Sequence, residues 1–142
     1  MNTWPSKYFT EKEFLRSNTL PNNTWDKPEH RLNALFFISK LDIIRIELNY
    51  AISITSGYRC EKLNGMVGGA KNSDHKIGFA ADLIPVYSNV NIREFHKQIL
   101  EAMTKHEIEW NQLIYERNKG TEWVHLGIRQ IGNKKEVFNI IK

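Results

Sequence analysis

The feature that most restricts the fold is a carboxylate inside an otherwise apolar strand pattern. Residues 78–84 are small or apolar except for Asp82, and Pro85 ends the run, which predicts a β-strand. Burying an unpaired carboxylate costs several kcal/mol, so the fold must place a cation, a metal ion or several hydrogen-bond donors beside Asp82. Taken alone, Asp82 is better explained as a hydrogen-bonded structural residue.

Two histidines are candidate partners for this carboxylate. His75 precedes the strand in a polar loop, and Gly78 permits a sharp turn between the loop and the strand. Ala80 leaves room on the face that it shares with Asp82, because residues two apart in a strand point the same way. His125 lies in a later apolar strand pattern and, taken alone, is better explained as a core residue. Together, a His-Asp-His set leaves the fourth position of a tetrahedral zinc ion open for water, as catalytic zinc sites require.

A hydrolytic zinc site also needs a proton acceptor and a group that stabilises negative charge on oxygen. Glu122 lies three residues before His125. Residues three apart in a regular strand face opposite sides, so Glu122 serves the site only if the chain bends there. Glu116 is the reserve candidate, and either acid is alternatively a solvated surface residue. Arg59, just after a strand pattern, is either an oxyanion partner or a structural ion-pair partner.

Capping and periodicity signals predict four helices, which begin near Thr10, Asp26, Cys60 and Asn91. The second is the longest: Asp26 is its expected N-cap, Pro28 lies in its first turn, and it ends near Asn49. Strands are predicted over 51–57, 78–84, 112–115, 123–128 and 136–140.

The connections between these elements indicate the fold class. Gly132 and Asn133 are expected to form the turn that joins the last two strands as a hairpin. Because helices come early and strands late, with hairpin connections, the pattern favours an α+β fold with a largely antiparallel central sheet flanked by helices.

Composition narrows the classes of function. The chain has 142 residues, 41% of them apolar, which fits a single domain spanning 1–142. One cysteine, Cys60, excludes an intrachain disulfide and an all-cysteine zinc site. The net charge of +4 admits an anionic partner, but the basic residues are scattered, which favours an ordinary basic surface over a nucleic-acid patch. No apolar run is long enough to span a membrane, and the first residues lack a secretory-signal pattern.

Five short motifs together resemble the zinc D-Ala-D-Ala carboxypeptidase family. They are SGYR (56–59), LN (63–64), VGG (67–69), NSDHKIGFAAD (72–82) and WVH (123–125). The pattern S-x-H-x-x-G-x-A-x-D is complete from Ser73 to Asp82, and Glu122 and His125 supply an E-x-x-H element. The resemblance spans about 9–128. The family also holds vancomycin-resistance D,D-dipeptidases and phage L-alanyl-D-glutamate endolysins, and it shares its fold with the Hedgehog signalling domain.

The resemblance implies a Hedgehog/DD-peptidase-like fold and a Zn²⁺-dependent peptidase acting on peptidoglycan stem peptides. Glu122 would be the general base and acid, and Arg59 would stabilise the oxyanion. The other implied site residues are the zinc ligands His75, Asp82 and His125 and the substrate-contacting Ser73 and Tyr58.

Other functions compete with this prediction. One alternative is a non-hydrolytic cell-wall-binding module on the same fold, but such a module does not need three metal ligands and an acid. Another is nucleic-acid binding, which the scattered positions of the basic residues disfavour. Whether the enzyme is a carboxypeptidase or an endopeptidase is left open. The expected setting is a monomeric phage or prophage lysis enzyme with neither membrane nor nucleic acid as partner. It would be made in the cytoplasm and reach the cell wall through a holin or as part of a virion.

Overall fold

The computed structural model describes residues 3–142, so the first two residues of the predicted 1–142 domain lie outside the described part of the chain. The elements are, in chain order, α1 (Glu11–Leu15), α2 (Pro28–Leu48), β1 (Ile52–Ser56), α3 (Glu61–Met66), a 3₁₀ helix (Asp74–Ile77), β2 (Ala80–Pro85), α4 (Ile92–Lys105), β3 (Gln112–Asn118), β4 (Thr121–Gly127) and β5 (Glu136–Ile141). The predicted α+β class with a sheet flanked by helices is confirmed.

Two predicted helix caps are present. Thr10 Oγ1 accepts a 3.0 Å hydrogen bond from the Glu13 N–H, which opens α1. Asn91 Oδ1 accepts a 2.8 Å hydrogen bond from the Glu94 N–H, which opens α4. Each side chain satisfies a backbone donor that has no partner within its helix.

The predicted cap of α2 is wrong. Lys27 holds the N-cap position without a side-chain hydrogen bond, and Pro28 starts the helix with no N–H to satisfy. Asp26 instead serves α3, because its Oδ2 accepts a 2.7 Å hydrogen bond from the N–H of Glu61. The end of α2 is as predicted, with Asn49 in the left-handed conformation.

The sheet has the strand order β1-β2-β4-β3-β5. The pairings β1–β2, β2–β4 and β3–β4 are antiparallel, whereas β5 pairs with β3 in parallel. The predicted hairpin between the last two strands is therefore wrong. Both edges of β4 are already occupied by β2 and β3, so β5 reaches the free edge of β3 instead.

The helices leave one face of the sheet for a site. Helix α4 packs against β2, β3 and β4, and α2 packs against α4 and the 3₁₀ helix. Their buried apolar residues join those of the sheet in one core, which includes Phe37, Leu41, Phe95, Leu113 and Val124. Side chains alternate along a strand, so the residues between these sheet positions face away from α4. Among the described residues, no helix is both long and apolar enough to cross a membrane.

Candidate active site

Strand register brings Asp82 and His125 side by side. Asp82 of β2 pairs directly with His125 of β4, and Ile114 of β3 pairs with His125 on its other side. Directly paired residues share a face of the sheet, so this row points away from α4. His75 reaches the same place from the 3₁₀ helix that precedes β2.

The three predicted metal ligands converge. His75 Nε2 lies 3.2 Å from Asp82 Oδ1, and His125 Nδ1 lies 3.3 Å from the same oxygen. All three ligand atoms lie within 4.8 Å of one another, and the three residues are buried. Ligands bound tetrahedrally at 2.0–2.2 Å from zinc are separated by about 3.3–3.6 Å, so this spacing fits one ion.

The proton positions also favour a cation at this point. His75 Nδ1 lies 2.7 Å from the Gly57 carbonyl oxygen, which only accepts, so Nδ1 carries the proton and Nε2 has a free lone pair. Burial lowers the pKa of His75, although Asp82 opposes the effect, and the lowered pKa favours the neutral ring. With the ring neutral, two lone pairs face each other across 3.2 Å, and a bound cation relieves their repulsion. Burial opposes ionisation of Asp82, but at low pH the protonated histidines hold its pKa below the ordinary value.

Two further buried nitrogen atoms in the same region have no hydrogen-bond partner within the described part of the chain. Among the described residues, His125 Nε2 and Trp123 Nε1 are the buried side-chain atoms that have no hydrogen-bond partner. Trp123 lies two residues before His125 and so faces the same side of β4. Unsatisfied buried polar atoms are rare, and functional sites are one place where they occur.

Arg59 lies at the opposite side of Asp82 from the histidines. Its Nη2 donates to Asp82 Oδ2 at 3.3 Å, its Nε donates to Ser56 Oγ at 3.2 Å, and its Nη1 donates to Asn64 Oδ1 at 3.3 Å. Three of the five guanidinium N–H groups are thus used, and two are left for a ligand. Arg59 is therefore both an ion-pair partner of Asp82 and a residue that lines the cleft.

The segment that carries His75 is fixed by Ser73 and Gly78. Ser73 Oγ accepts a 3.2 Å hydrogen bond from the His75 N–H and caps the 3₁₀ helix. Gly78 ends that helix with a φ of +92°, and a Cβ atom there would lie 2.3 Å from the carbonyl oxygen of His30. The predicted sharp turn at Gly78 is thus observed, and it also lets α2 approach closely.

We expect Gly78→Ala to lower the free energy of unfolding by more than about 2 kcal/mol, because it adds a clash to an unfavourable backbone conformation. The matched control is Gly120→Ala, where φ is +85° but nothing lies within 4 Å of the added Cβ. That variant should lose only about 1 kcal/mol. Urea unfolding measures both, and equal losses would show that the contact with α2 is unimportant.

The two candidate acids lie on opposite faces of the sheet. Glu116 pairs with Trp123 and lines the cleft, diagonally next to His125. Burial raises the pKa of Glu116, and the charge of Asp82 raises it further. Glu122 pairs with Arg117 in unbroken register, and its carboxylate accepts a hydrogen bond from the Tyr115 hydroxyl.

The bend that Glu122 needs in order to reach the triad is not observed. The hairpin between β3 and β4 closes through Lys119 and Gly120, which both have positive φ, as in a two-residue type I′ turn. Such a turn keeps the strands regular, so the alternation of side chains holds up to Glu122. Its position therefore does not support the predicted role as general base.

Tyr58 is also not where a substrate-binding residue is expected. Its side chain is 1% exposed and packs against Trp25, with 4.5 Å between the ring centroids. Its hydroxyl accepts a 3.0 Å hydrogen bond from the Asp26 N–H and lies 2.7 Å from His30 Nδ1. This position does not support the predicted contact of Tyr58 with the substrate, because the ring turns into the core while Arg59 turns to the cleft.

An ion pair beside the triad, between the buried Asp74 and the partly buried Arg129, is not predicted by the sequence patterns. Asp74 accepts hydrogen bonds from Arg129, the shortest at 2.8 Å, and from Asn111 Nδ2, also at 2.8 Å. These contacts tie the residue before His75 to the segment that follows β4. The three residues are far apart in the sequence and follow no periodic pattern. The only sequence signal for these contacts is that a charged residue, Asp74, directly precedes His75.

We expect the metal-free protein to lose stability as the pH falls below about 6.5, the ordinary pKa of histidine. The native His75 has a lowered pKa, so the unfolded chain binds more protons there, and the free energy of unfolding falls by up to about 1.4 kcal/mol per pH unit. Asp82 also has a lowered pKa in the native protein, so it makes the free energy of unfolding fall further at lower pH.

Urea unfolding in chelator at several pH values between 5 and 8 measures this dependence. His75→Gln removes the titrating group, so the dependence on pH should become weaker in that variant. An unchanged slope would contradict the assignment to His75.

The triad opens into a cleft of about 650 Å³. Its walls include the three ligands, Arg59, Ser73 and Glu116, together with side chains of β5. A buried metal-binding set at the base of an open cleft can hold an ion and still admit a substrate, which is the arrangement of a catalytic rather than a structural site.

Comparison with known proteins agrees with this chemistry. A family model described as Peptidase M15 matches residues 7–127, which is most of the chain and contains the triad, Arg59 and Glu116. Comparison with curated proteins gives no match. The chain therefore belongs to the peptidase M15 family, that of the zinc D-Ala-D-Ala carboxypeptidases, and this membership implies a metallopeptidase.

Proposed function

We propose that this protein is a zinc-dependent peptidase that hydrolyses peptide bonds in peptidoglycan stem peptides or in their cross-links. The observation that carries the proposal is the buried His75–Asp82–His125 set at the base of an open cleft. Two histidines and one carboxylate suit zinc, and three protein ligands leave a position for the reaction. The proposed setting is a lysis enzyme that reaches the cell wall after release or on a virion.

The proposed zinc ligands are His75 Nε2, Asp82 and His125 Nδ1. When bound, zinc supplies Lewis acidity, which polarises a carbonyl group and makes water a stronger nucleophile at neutral pH. The protein contributes the orientation of these ligands, because Gly57 fixes the His75 ring and Arg59 holds the second oxygen of Asp82. It also surrounds the ligands with buried strand and 3₁₀-helix residues.

We assign the general base to Glu116 rather than to Glu122. Glu116 shares the face of the sheet with the triad, and its raised pKa makes it a better proton carrier near neutral pH. In the proposed reaction, Glu116 takes one proton from water as the water oxygen bonds to the carbonyl carbon. It then gives this proton to the departing nitrogen as the C–N bond breaks. The second water proton stays on the new carboxyl group, so the products are a carboxylic acid, which then loses this proton to the solvent, and an amine.

Arg59 and Ser73 complete the proposed site. The two unused N–H groups of Arg59 can donate to the substrate oxygen on which negative charge develops, close to the carboxylate that holds the metal. Ser73 lines the cleft beside His75 and is proposed to contact the substrate.

The test of this function is mass spectrometry of the products released from purified peptidoglycan. We expect new amine and carboxyl ends in the stem peptides, loss of these products in chelator, and recovery when zinc is restored. Release of single alanine would identify a carboxypeptidase, whereas split cross-links or whole stem peptides would identify an endopeptidase. No cleavage with zinc present would contradict the proposal and favour a wall-binding module.

A further inference from the structure

The cleft continues beyond the triad across β3 and onto β5. Ile114 pairs with Phe138, and Glu116 pairs with Ile140, in the parallel pairing of these strands. Ile114, Phe138 and Ile140 therefore face the same side of the sheet as the triad, and all three line the same cleft. We call these three residues the apolar shelf.

The distance from the triad to the apolar shelf corresponds to the length of about three residues of an extended peptide. Neighbouring strands are about 4.8 Å apart, so two strand spacings separate His125 on β4 from Phe138 on β5, which is about 10 Å. An extended peptide covers about 3.3 Å per residue, so it reaches Phe138 about three residues from the triad. Phe138 is 38% exposed, which leaves aromatic surface for such a peptide to cover.

The position of Glu116 indicates which half of the substrate lies on the shelf. Glu116 lies on β3, between the triad strands and β5. The group that returns the proton must be near the departing nitrogen, so the amine half of the substrate lies on the β3 side. The acyl half then lies toward Arg59, on the far side of Asp82.

We propose that the apolar shelf binds the residues on the amine side of the cleaved bond, and that the enzyme is therefore an endopeptidase that favours leaving groups of two or more residues. The inference rests on the proposed function. A carboxypeptidase has to hold a terminal carboxylate next to the cut, whereas the cleft residues of β3 and β5 next to Glu116 are the apolar Ile114, Phe138 and Ile140. The polar cleft residues Gln112, Lys134, Glu136 and Lys142 lie toward the two ends of β5, and Glu136 would repel a carboxylate. The shelf residues on β5 lie outside the part of the chain that the family model matches.

The inference is tested with a series of synthetic stem peptides. All of them have the same acyl half, and the leaving group is one to four residues long. We expect kcat/KM to rise at least about tenfold between one and three leaving residues, since burying an aromatic side chain stabilises a complex by that factor or more. Phe138→Ala should remove most of this gain and leave the single-residue substrate unchanged. Ile140→Ala should act in the same direction.

The matched control is Val137→Ala, on the same strand with 41% exposure but on the opposite face. It should not change the dependence on length. A kcat/KM that is highest for the single residue, or an equal loss for every length in Phe138→Ala, would overturn the inference. Thermal unfolding of each variant checks that it is folded.

A binding measurement separates this inference from the proposed function. Calorimetry with Glu116→Gln, which is expected to bind without cleaving, should show about tenfold weaker binding of the three-residue peptide after Phe138→Ala is added. If the wild-type protein cleaves nothing, the proposed function fails, and the calorimetry still decides whether the shelf binds peptide. Binding that is unaffected by Phe138→Ala would reject the shelf even where hydrolysis occurs.

Discussion

Glu116→Gln is expected to lower kcat by at least about 100-fold while the protein keeps its zinc and its fold. The amide has the size of the carboxylate but cannot take a proton from water, and general-base catalysis contributes about 10²–10⁴-fold. Glu116 is not one of the three proposed ligands, so zinc stoichiometry should stay the same. Steady-state hydrolysis of a stem peptide, with metal analysis of the same sample, measures both effects.

Glu122→Gln is the matched control for this variant. The same substitution is made on the neighbouring strand, but its side chain contacts Tyr115 on the opposite face. We expect kcat to change by no more than about threefold, as for a substitution that touches no reacting group. If Glu122→Gln were inactive and Glu116→Gln active, the base would be Glu122, and the strand would have to rearrange when substrate binds.

His125→Ala is expected to lower zinc affinity by more than about 100-fold and to abolish hydrolysis. Losing a residue that only supports a ligand typically costs 10–100-fold in metal affinity, and loss of a ligand should cost more. Competition with a chromophoric chelator measures the affinity, and circular dichroism checks the fold.

His96→Ala serves as the control for this loss. His96 is a partly buried histidine of α4, and its Nε2 lies 3.2 Å from the Leu113 carbonyl oxygen, on the other side of the sheet. Its removal should leave zinc binding unchanged. Native zinc affinity in His125→Ala would exclude the triad as the metal site.

Part of the metal site was predictable because it depends on local rules. Alternation along the strand fixed the face of Asp82, and the need to compensate a buried carboxylate pointed to His75 in the preceding loop. His125 lies on another strand, and it was connected with these two through the chemistry of a His-Asp-His set and through the family resemblance. Gly78 and Ser73 follow the same logic, since the turn and the cap are encoded next to His75. The four helices and all five strands were likewise recognisable from their own sequence patterns, although the cap of α2 and the pairing of β5 were not.

The predictions that the structure does not support came from family analogy or depended on long-range packing. Alternation already disfavoured Glu122, and the regular turn at Lys119 and Gly120 shows that this rule holds here. The motif SGYR places Tyr58 next to Arg59, but adjacent residues point in different directions, and Tyr58 is buried in the core.

Strand pairing explains the remaining error, the last hairpin. The turn signal at Gly132 predicted a reversal of the chain, and the chain does reverse. Which strand receives β5 depends on the edges of β4, which β2 and β3 already occupy. Nothing in the sequence around residue 132 encodes that occupancy.

The most direct test of the central claim is diffraction at the zinc absorption edge from crystals grown with zinc. We expect a single anomalous peak about 2.0–2.2 Å from His75 Nε2, an Asp82 carboxylate oxygen and His125 Nδ1, with the remaining position open to the cleft. A peak at other residues, or none at the triad when zinc is in excess, would show that His75, Asp82 and His125 do not form the zinc site.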